Sequence, residues 1–364
     1  MAELVVQTDK IIRNIKKISD YLEPRQIEWS LVTKVLSGDP EILKKLLSSP
    51  EIKRVHSIAD SRLSSLKTIK KMHPELVTMY IKPPAIQLIK TVISYADISL
   101  NSSFSTIEAL NKEAKRQGKV HRIVIMIEMG ELREGVVRDE LLDFYKQCFE
   151  LSNINVIGIG TNLGCMYGIE PTFDKLIQLS LYKQLIETMF SEKLELISGG
   201  SSITLPMLKR NFPKTVNHFR IGEAAFLGVS PLDGKKVRNL STKAFSYQAN
   251  IIEMEEKYNE PDGVISEASI GHTAQEVEDS DYSKSYKAIL DFGVLDLNVD
   301  DISPVDPEIS FFGTTSDMTV YDVGKNLNRK QRAKYKVGQK IYFDLNYMGV
   351  ARIMNSKFIQ KIIK

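Results

Sequence analysis

A chain of 364 residues with 43% hydrophobic and 26% charged side chains can bury a large core, so the composition excludes a disordered tail and predicts a large domain with a smaller companion. The net charge of +3 is scattered along helical patterns without a basic stripe, which argues against nucleic-acid binding, and the apolar runs are strand-sized, well short of the roughly 20 residues that cross a bilayer. Cys148 and Cys165 are the only cysteines and the N-terminus lacks the apolar core of a secretory signal, so a reducing, cytoplasmic setting without disulfides is expected.

In chain order, "TDKIIRNIKKISDYL" predicts a leading helix. Eight β-branched runs follow: "EWSLVTKV", "RVHSIA", "LVTMYIK", "YADISLN", "RIVIMIE", "INVIGIGTN", "LELISGG" and "HFRIG". Between them lie amphipathic stretches such as "DPEILKKLLSS", "SFSTIEALNKEAKRQG", "RDELLDFYKQCFE" and "EPTFDKLIQLSLYKQLIETMF". Such alternation implies a parallel sheet, and eight strand–helix units imply a closed (β/α)8 TIM barrel. The eighth unit is the weakest, because little helix is evident after "HFRIGEAAFLG". Beyond Pro231 the runs "KAFSYQANIIEME", "YKAILDFGVLDLN", "EISFFGTTSDMTVYDV" and "KVGQKIYFDLNYMGVARIM" alternate like strands between Gly, Pro and Asp turns. The expected division is a barrel with its leading helix over 1–230 and a β-rich C-terminal domain over 231–364.

Barrel enzymes build their sites from the C-terminal ends of the strands and the loops that follow. Those ends supply Lys34, Asn101, Arg133 in "EMGELREG", Asn162 in "GTNLGC", Ser201 and Ser202 in "SGGSS", and Arg220, Gly222 and Glu223 in "RIGEA". Two glycines and two serines opening a helix offer backbone N–H groups, hydroxyls and a positive helix end to an anion. Alone the run reads more simply as a helix N-cap without a ligand; paired with the glycine turn of the adjacent last strand it points to a shared phosphate. Lys34 then has a purpose, since its amine can form a Schiff base with pyridoxal phosphate held across the mouth. Taken alone, Lys34 reads more simply as a lysine that snorkels or pairs with an acid.

The ordered set "LVTKVLSGD", "EMGELREG", "VIGIGTNLGC", "SGGSS", "FRIGEAAFLG" and "GTTSDMTVYDV" resembles the alanine racemase superfamily of fold-type III pyridoxal-phosphate enzymes, and among them the ornithine racemase branch. The resemblance spans nearly the whole chain. It implies that Lys34 holds the cofactor and exchanges a proton on one face of the substrate. It places Arg220 opposite the pyridine nitrogen. An arginine there keeps that nitrogen unprotonated, which weakens the ring as an electron sink and favours racemisation over transamination. Ser201, Ser202, Gly222 and Glu223 would bind the phosphate, Arg133 would lie near the phenolic oxygen and substrate carboxylate, and Asn162 would pack against the ring. No metal is implied.

Two departures from the pattern bear on the substrate. In alanine racemases the second base is a tyrosine from the partner subunit's β domain, and Val294 stands at that position here. Asp317 in "TTSDM" matches a family aspartate near the partner's site and becomes the candidate second catalytic group, with Asp296 and His272 as others from the same domain. The phosphate-binding tyrosine that follows the lysine in alanine racemases is also missing from "KVLSGD". A larger amino acid is therefore expected over alanine, and the resemblance to the ornithine racemase branch implies a basic one such as ornithine or lysine. The family likeness implies a homodimer with shared sites. A decarboxylase or aldolase using the same cofactor, and a non-enzymatic protein that maintains pyridoxal-phosphate balance, stay open, although the β-rich remainder speaks against the latter.

Overall fold

The structure, a computed structural model, describes residues 1–209, 212–264, 271–273 and 283–364. It forms two compact units, one of Thr8–Thr242 and one of Met1–Gln7 with Lys243–Lys364.

The chain opens with β1 (Glu3–Val6), a strand of the second unit, and continues into α1 (Thr8–Leu22). Barrel strands and helices then alternate as β2 (Glu28–Val32), α2 (Pro40–Leu47), β3 (Ser57–Asp60), α3 (Leu63–Met72), β4 (Thr78–Tyr80), α4 (Ile89–Tyr95), β5 (Ile98–Asn101) and α5 (Phe104–Arg116). The second half runs β6 (His121–Met126), α6 (Leu141–Phe149), β7 (Ile154–Gly160), α7 (Phe173–Phe190), β8 (Leu196–Ser201), β9 (His218–Ile221) and α8 (Glu223–Leu227). Each strand pairs in parallel with the next, and β9 closes the barrel on β2, with Leu31 beside both Ile58 and Ile221. Barrel strands are covered by side chains on one face and helices on the other, which is why they read as continuous apolar runs. Val32, Ala59, Met79, Leu100, Val124, Met126 and Leu196 pack in one buried cluster.

Local sequence explains the helix starts. Asp39 accepts the N–H groups of Glu41 and Ile42 at 3.1 and 3.0 Å, with Pro40 in the first turn of α2. The weak eighth unit is real: α8 has only five residues and stops at Gly228, where φ is +69° and a Cβ would lie 2.3 Å from the Ser241 carbonyl oxygen. After α8 the chain returns to α1, where Asn14 donates to the carbonyls of Ala225 and Ser241 at 3.1 and 2.9 Å and accepts the Ser241 N–H at 2.7 Å. These bonds hold the barrel unit together through Thr242, beyond the expected break at 230.

The second unit contains β10 (Phe245–Tyr258), β11 (His272–Thr273), β12 (Lys284–Leu290), β13 (Ile302–Pro304), β14 (Ser310–Thr314), β15 (Thr319–Asp322), β16 (Lys340–Leu345), α9 (Tyr347–Asn355) and β17 (Gln360–Ile363). With β1 they give nine sheet strands among the described residues, in the order β11-β14-β15-β12-β10-β1-β17, with β16 bonded to β10 and β13. β1 runs antiparallel to β10 and parallel to β17, so the first residues belong to this sheet rather than to the barrel. Helix α9 also departs from the expected run of strands. Asn346 caps it by accepting the Gly349 N–H at 2.8 Å, and Val350, Ile353 and Met354 are buried at helical spacing. Tyr247, Phe292, Tyr321 and Phe343 meet ring to ring in the core, and a buried Lys287 lies over the Phe312 ring, 2.6 Å from Asp322.

Candidate active site

At the C-terminal end of the barrel, β2 ends at Val32, and Lys34 opens a short 3-10 turn, Lys34–Leu36. The buried Thr33 anchors that turn by donating to Asp60 at 2.9 Å, while Asp60 also accepts the Arg62 N–H at 2.8 Å. Burial pushes the Asp60 carboxyl up, opposed by those two bonds. The Lys34 side chain projects to the surface of the unit, and its positive charge acts on Glu223, whose carboxyl burial drives up and Lys34 pulls back. Lys34, at the end of the first barrel strand, and Glu223, just after the last, thus share one end of the barrel.

β8 runs through Ser201 into a 3-10 helix, Ser202–Lys209, which contains Pro206, and α8 starts at Glu223 with Gly222 as its cap. The two starts are tied together: Ala224 donates its N–H to Ser202 Oγ at 3.1 Å. Since Ser202 Oγ accepts that bond, its own proton is left to give, and the first N–H groups of both helices lack intrahelical partners. Ser201 is engaged differently, its N–H donating to Thr204 Oγ1 at 3.1 Å. A donor set without a carboxylate acceptor in its backbone positions suits a phosphate.

Arg220 is buried, 8% exposed, and its two terminal nitrogens are fully engaged. Nη1 donates to the Ser198 carbonyl at 3.0 Å and to Ser198 Oγ, and Nη2 donates to the Thr161 carbonyl at 2.7 Å and to Asn162 Oδ1 at 2.8 Å. Burial pushes the guanidinium down to about 10, with Glu134 opposing and Arg133 reinforcing, so it stays protonated at neutral pH. Asn162 in turn donates to Glu134, which pairs with Arg133, and Arg133 also donates to Cys165 Sγ. Arg220, Asn162 and Arg133, picked out separately in the sequence, therefore stand in one bonded chain whose central link, Glu134, was missed. Both cysteines are free thiols.

Two further glutamates shape the loops. Glu128 accepts the N–H groups of Leu132 and Arg133 at 3.1 and 3.0 Å, which folds "EMGELREG" back on itself. Glu131, 2% exposed, accepts four from the next loop: Cys165 at 3.1 Å, Met166 at 2.6 Å, Tyr167 at 2.9 Å and Ile169 at 2.9 Å. The only signal for these roles was three glutamates within seven residues. Asn101, at the end of β5, spends its amide N–H groups on Ser99, and its buried Oδ1 has no partner among the described residues.

The candidates of the second unit gather at one place. Val294 and Leu295 donate their N–H groups to the carbonyls of Thr315 and Ser316 at 3.0 and 3.1 Å, and His272 pairs with Thr314 across β11 and β14. Asp317 is exposed and accepts the Ser316 hydroxyl at 3.1 Å. Asp296, beside them, bonds Gly293 N–H and Ser356 Oγ at 3.4 Å each. Among the described residues, no group of three or more His, Cys, Asp or Glu side chains is placed to hold a metal, and no helix is long and apolar enough to cross a membrane.

The profile of the alanine racemase N-terminal domain matches residues 6–231. The chain belongs to the alanine racemase family. An ornithine racemase of Acetoanaerobium sticklandii is 30% identical over 361 residues, covering 99% of this chain and 98% of that one. A lysine racemase of Thermotoga maritima is 29% identical over 363 residues, covering 99% and 97%. In fold, the alanine racemase of Clostridium difficile 630 superposes with a TM-score of 0.75 at 15% identity, covering 100% of this chain and 95% of that one. A barrel with a separate β-rich unit is the architecture that family membership leads one to expect.

Proposed function

We propose that this protein is a pyridoxal-phosphate-dependent racemase of a basic amino acid, ornithine or lysine, acting as a cytoplasmic homodimer. The observation that bears most weight is the bonded chain behind Arg220: a buried guanidinium held by carbonyls and an amide, with no carboxylate directly against it. The full-length relatives, named as ornithine and lysine racemases, support the substrate class and weigh against other bond cleavages at the same carbon.

The residues fit the cofactor. Ser202, with the N–H groups of Gly222 and Glu223 and with Ser201 nearby, would hold the phosphate; Lys34 would hold the aldehyde carbon; and Arg220 would face the ring nitrogen, with Asn162 against the ring. When bound, the cofactor supplies an electron-withdrawing ring that makes the substrate Cα proton removable. The amine of Lys34 takes or returns that proton on one face. Arg220, permanently charged, keeps the ring nitrogen unprotonated and so limits charge delocalisation, which favours prompt return of the proton over transfer of the amino group. Arg133, positioned by Glu134, is a cation for the substrate carboxylate. Val294 cannot exchange protons, so Asp317 of the partner subunit is assigned the opposite face.

The decisive measurement is Cα proton exchange in deuterated water, followed together with optical rotation, for both enantiomers of ornithine, lysine and alanine. Exchange with loss of rotation is expected for ornithine or lysine, and Lys34→Ala should lower it by about 10⁴-fold, the upper range for a general acid–base group. Cofactor binding without exchange of any amino acid would refute the racemase reading.

A further inference from the structure

Behind Arg220 the barrel interior contains a polar column whose other members the proposed chemistry does not use. His218 lies on β9 two residues before Arg220 and is fully buried. Its Nδ1 is 2.8 Å from Ser198 Oγ, the hydroxyl that also accepts from Arg220 Nη1. Its Nε2 is 2.9 Å from Ser30 Oγ, and Ser30 Oγ is 2.7 Å from Ser57 Oγ. Five side chains from β2, β3, β8 and β9 thus form one continuous line, from Arg220 to Ser57.

A guanidinium only donates, which orients the Arg220–Ser198 bond, and the remaining directions follow from giving each hydroxyl proton an acceptor within the line. Ser198 Oγ accepts from Arg220, so its own proton is free to go to His218 Nδ1. Nδ1 must then carry a lone pair, and a neutral ring bears its proton on Nε2, where it donates to Ser30. Ser30 then has its own proton to give, to Ser57 Oγ at 2.7 Å or to Met79 Sδ at 3.9 Å. The other tautomer and the imidazolium both aim an N–H at Ser198 and leave its hydroxyl proton without an acceptor in the line. The imidazolium also adds a second buried cation beside Arg220, with the His56 ring 5.1 Å away on the other side. Burial, His56 and Arg220 all hold His218 in its neutral form.

We propose that His218 is a positioning residue: as the neutral Nε2–H tautomer it takes the Ser198 proton, turning that hydroxyl's lone pairs onto Arg220 and fixing the guanidinium against the cofactor ring. The inference rests on the reading of Arg220 given above. An apolar side chain at this position would fill the space but remove one partner from each of Ser198 and Ser30, leaving them only Arg220 and Ser57 in the line, so the histidine supplies bond direction as well as volume.

The test has two arms. In full-length holoenzyme labelled with 15N at its five histidines, long-range nitrogen–proton correlation at neutral pH reads the tautomer directly, with His218→Asn assigning the signal. The expected pattern is a protonated Nε2 and an accepting Nδ1; an Nδ1–H or doubly protonated ring overturns the proposal, whether or not His218→Leu folds. In the second arm, His218→Leu should lower kcat for ornithine racemisation by about tenfold with KM nearly unchanged, in line with the cost of small misplacements of a reacting group. His218→Asn, whose Oδ1 replaces the Nδ1 acceptor, should recover most of the loss. A folded His218→Leu protein with the parent kcat also overturns it. If Arg220→Ala leaves both cofactor affinity and kcat untouched while the tautomer is as expected, the assignment of Arg220 to the cofactor has failed and the bond direction in the column stands.

Discussion

Arg220, assigned to the cofactor ring, and Asp317, assigned to proton exchange, are charged groups proposed for the same reaction, and the two units hold them in opposite ways. Arg220 is buried and spends its terminal N–H groups on Ser198, Thr161 and Asn162. Asp317 is exposed, and the hydroxyl of its neighbour Ser316 is the bond its carboxylate accepts. Yet the main chain around Asp317 is firmly placed, because Gly293 approaches so closely that a Cβ there would lie 2.4 Å from the Asp317 N. The barrel fixes its charge through side-chain bonds that folding must make to satisfy buried carbonyls. The β unit fixes only the backbone and leaves the carboxylate to whatever meets it. A group built in the first manner is a structural element as well as a chemical one; a group built in the second can be removed without touching the fold.

That contrast is sharpest in paired substitutions. Arg220→Ala leaves the buried Thr161 carbonyl without its donor, strips one donor from the Ser198 carbonyl and from the half-buried Asn162 Oδ1, and opens a cavity, so the barrel transition in urea unfolding should fall by about 3 kcal/mol, in addition to the loss of racemisation. Arg220→Lys should recover only part of this, since one ammonium cannot span acceptors that a planar fork reaches together. Asp317→Asn should do the reverse: stability within about 0.5 kcal/mol of the parent, as for other exposed sites, and racemisation reduced by about 100-fold. Equal stability losses in the two variants would erase the distinction. Racemisation unchanged in Asp317→Asn would remove that residue from the chemistry and direct attention to His272, which pairs with the same loop.

How far the sequence reveals these arrangements depends on the distance over which each is determined. The eight barrel strands are legible because a strand covered on both faces must be apolar throughout, and the turn residues around each run are local. β1 is not, since "ELVV" owes its existence to β10 and β17, far along the chain. α9 follows β16 so directly that Asn346 is its one local mark. Among the site residues, Lys34, Ser202 and Arg220 are visible because strand ends in a barrel have a known use. Glu134 and Glu131 are not, because what they do depends on loop geometry: Leu132 adopts φ of +50°, and Gly135 comes so close to Glu128 that a Cβ would lie 2.2 Å from its N. His218 looked like one more residue of a strand, and only the direction of its bonds gives it a role.

Glu131 sharpens the comparison at a smaller scale, because it lets the barrel treat a loop as it treats Arg220. Burial raises the Glu131 carboxyl, but the N–H groups of Cys165, Tyr167, Met166 and Ile169 outweigh it and leave it lowered from 4.5. A carboxyl lowered in the folded state contributes its stability in full above its unfolded value and loses it as the pH falls through the folded one. Exchange protection of the Cys165, Met166, Tyr167 and Ile169 amides should therefore be flat from neutral pH down to about 4.5 and decline below it. Glu131→Gln, with one acceptor oxygen in place of two, should reduce that protection by about tenfold at neutral pH, equivalent to the roughly 1.4 kcal/mol of a lost charged hydrogen bond. Racemisation should drop only a few-fold, because Arg133 keeps Glu134 and Asn162 keeps Arg220. Amides around Asp317 should be indifferent to both changes; if they followed Glu131, the loops of the two units would be coupled and the contrast between them would be one of degree.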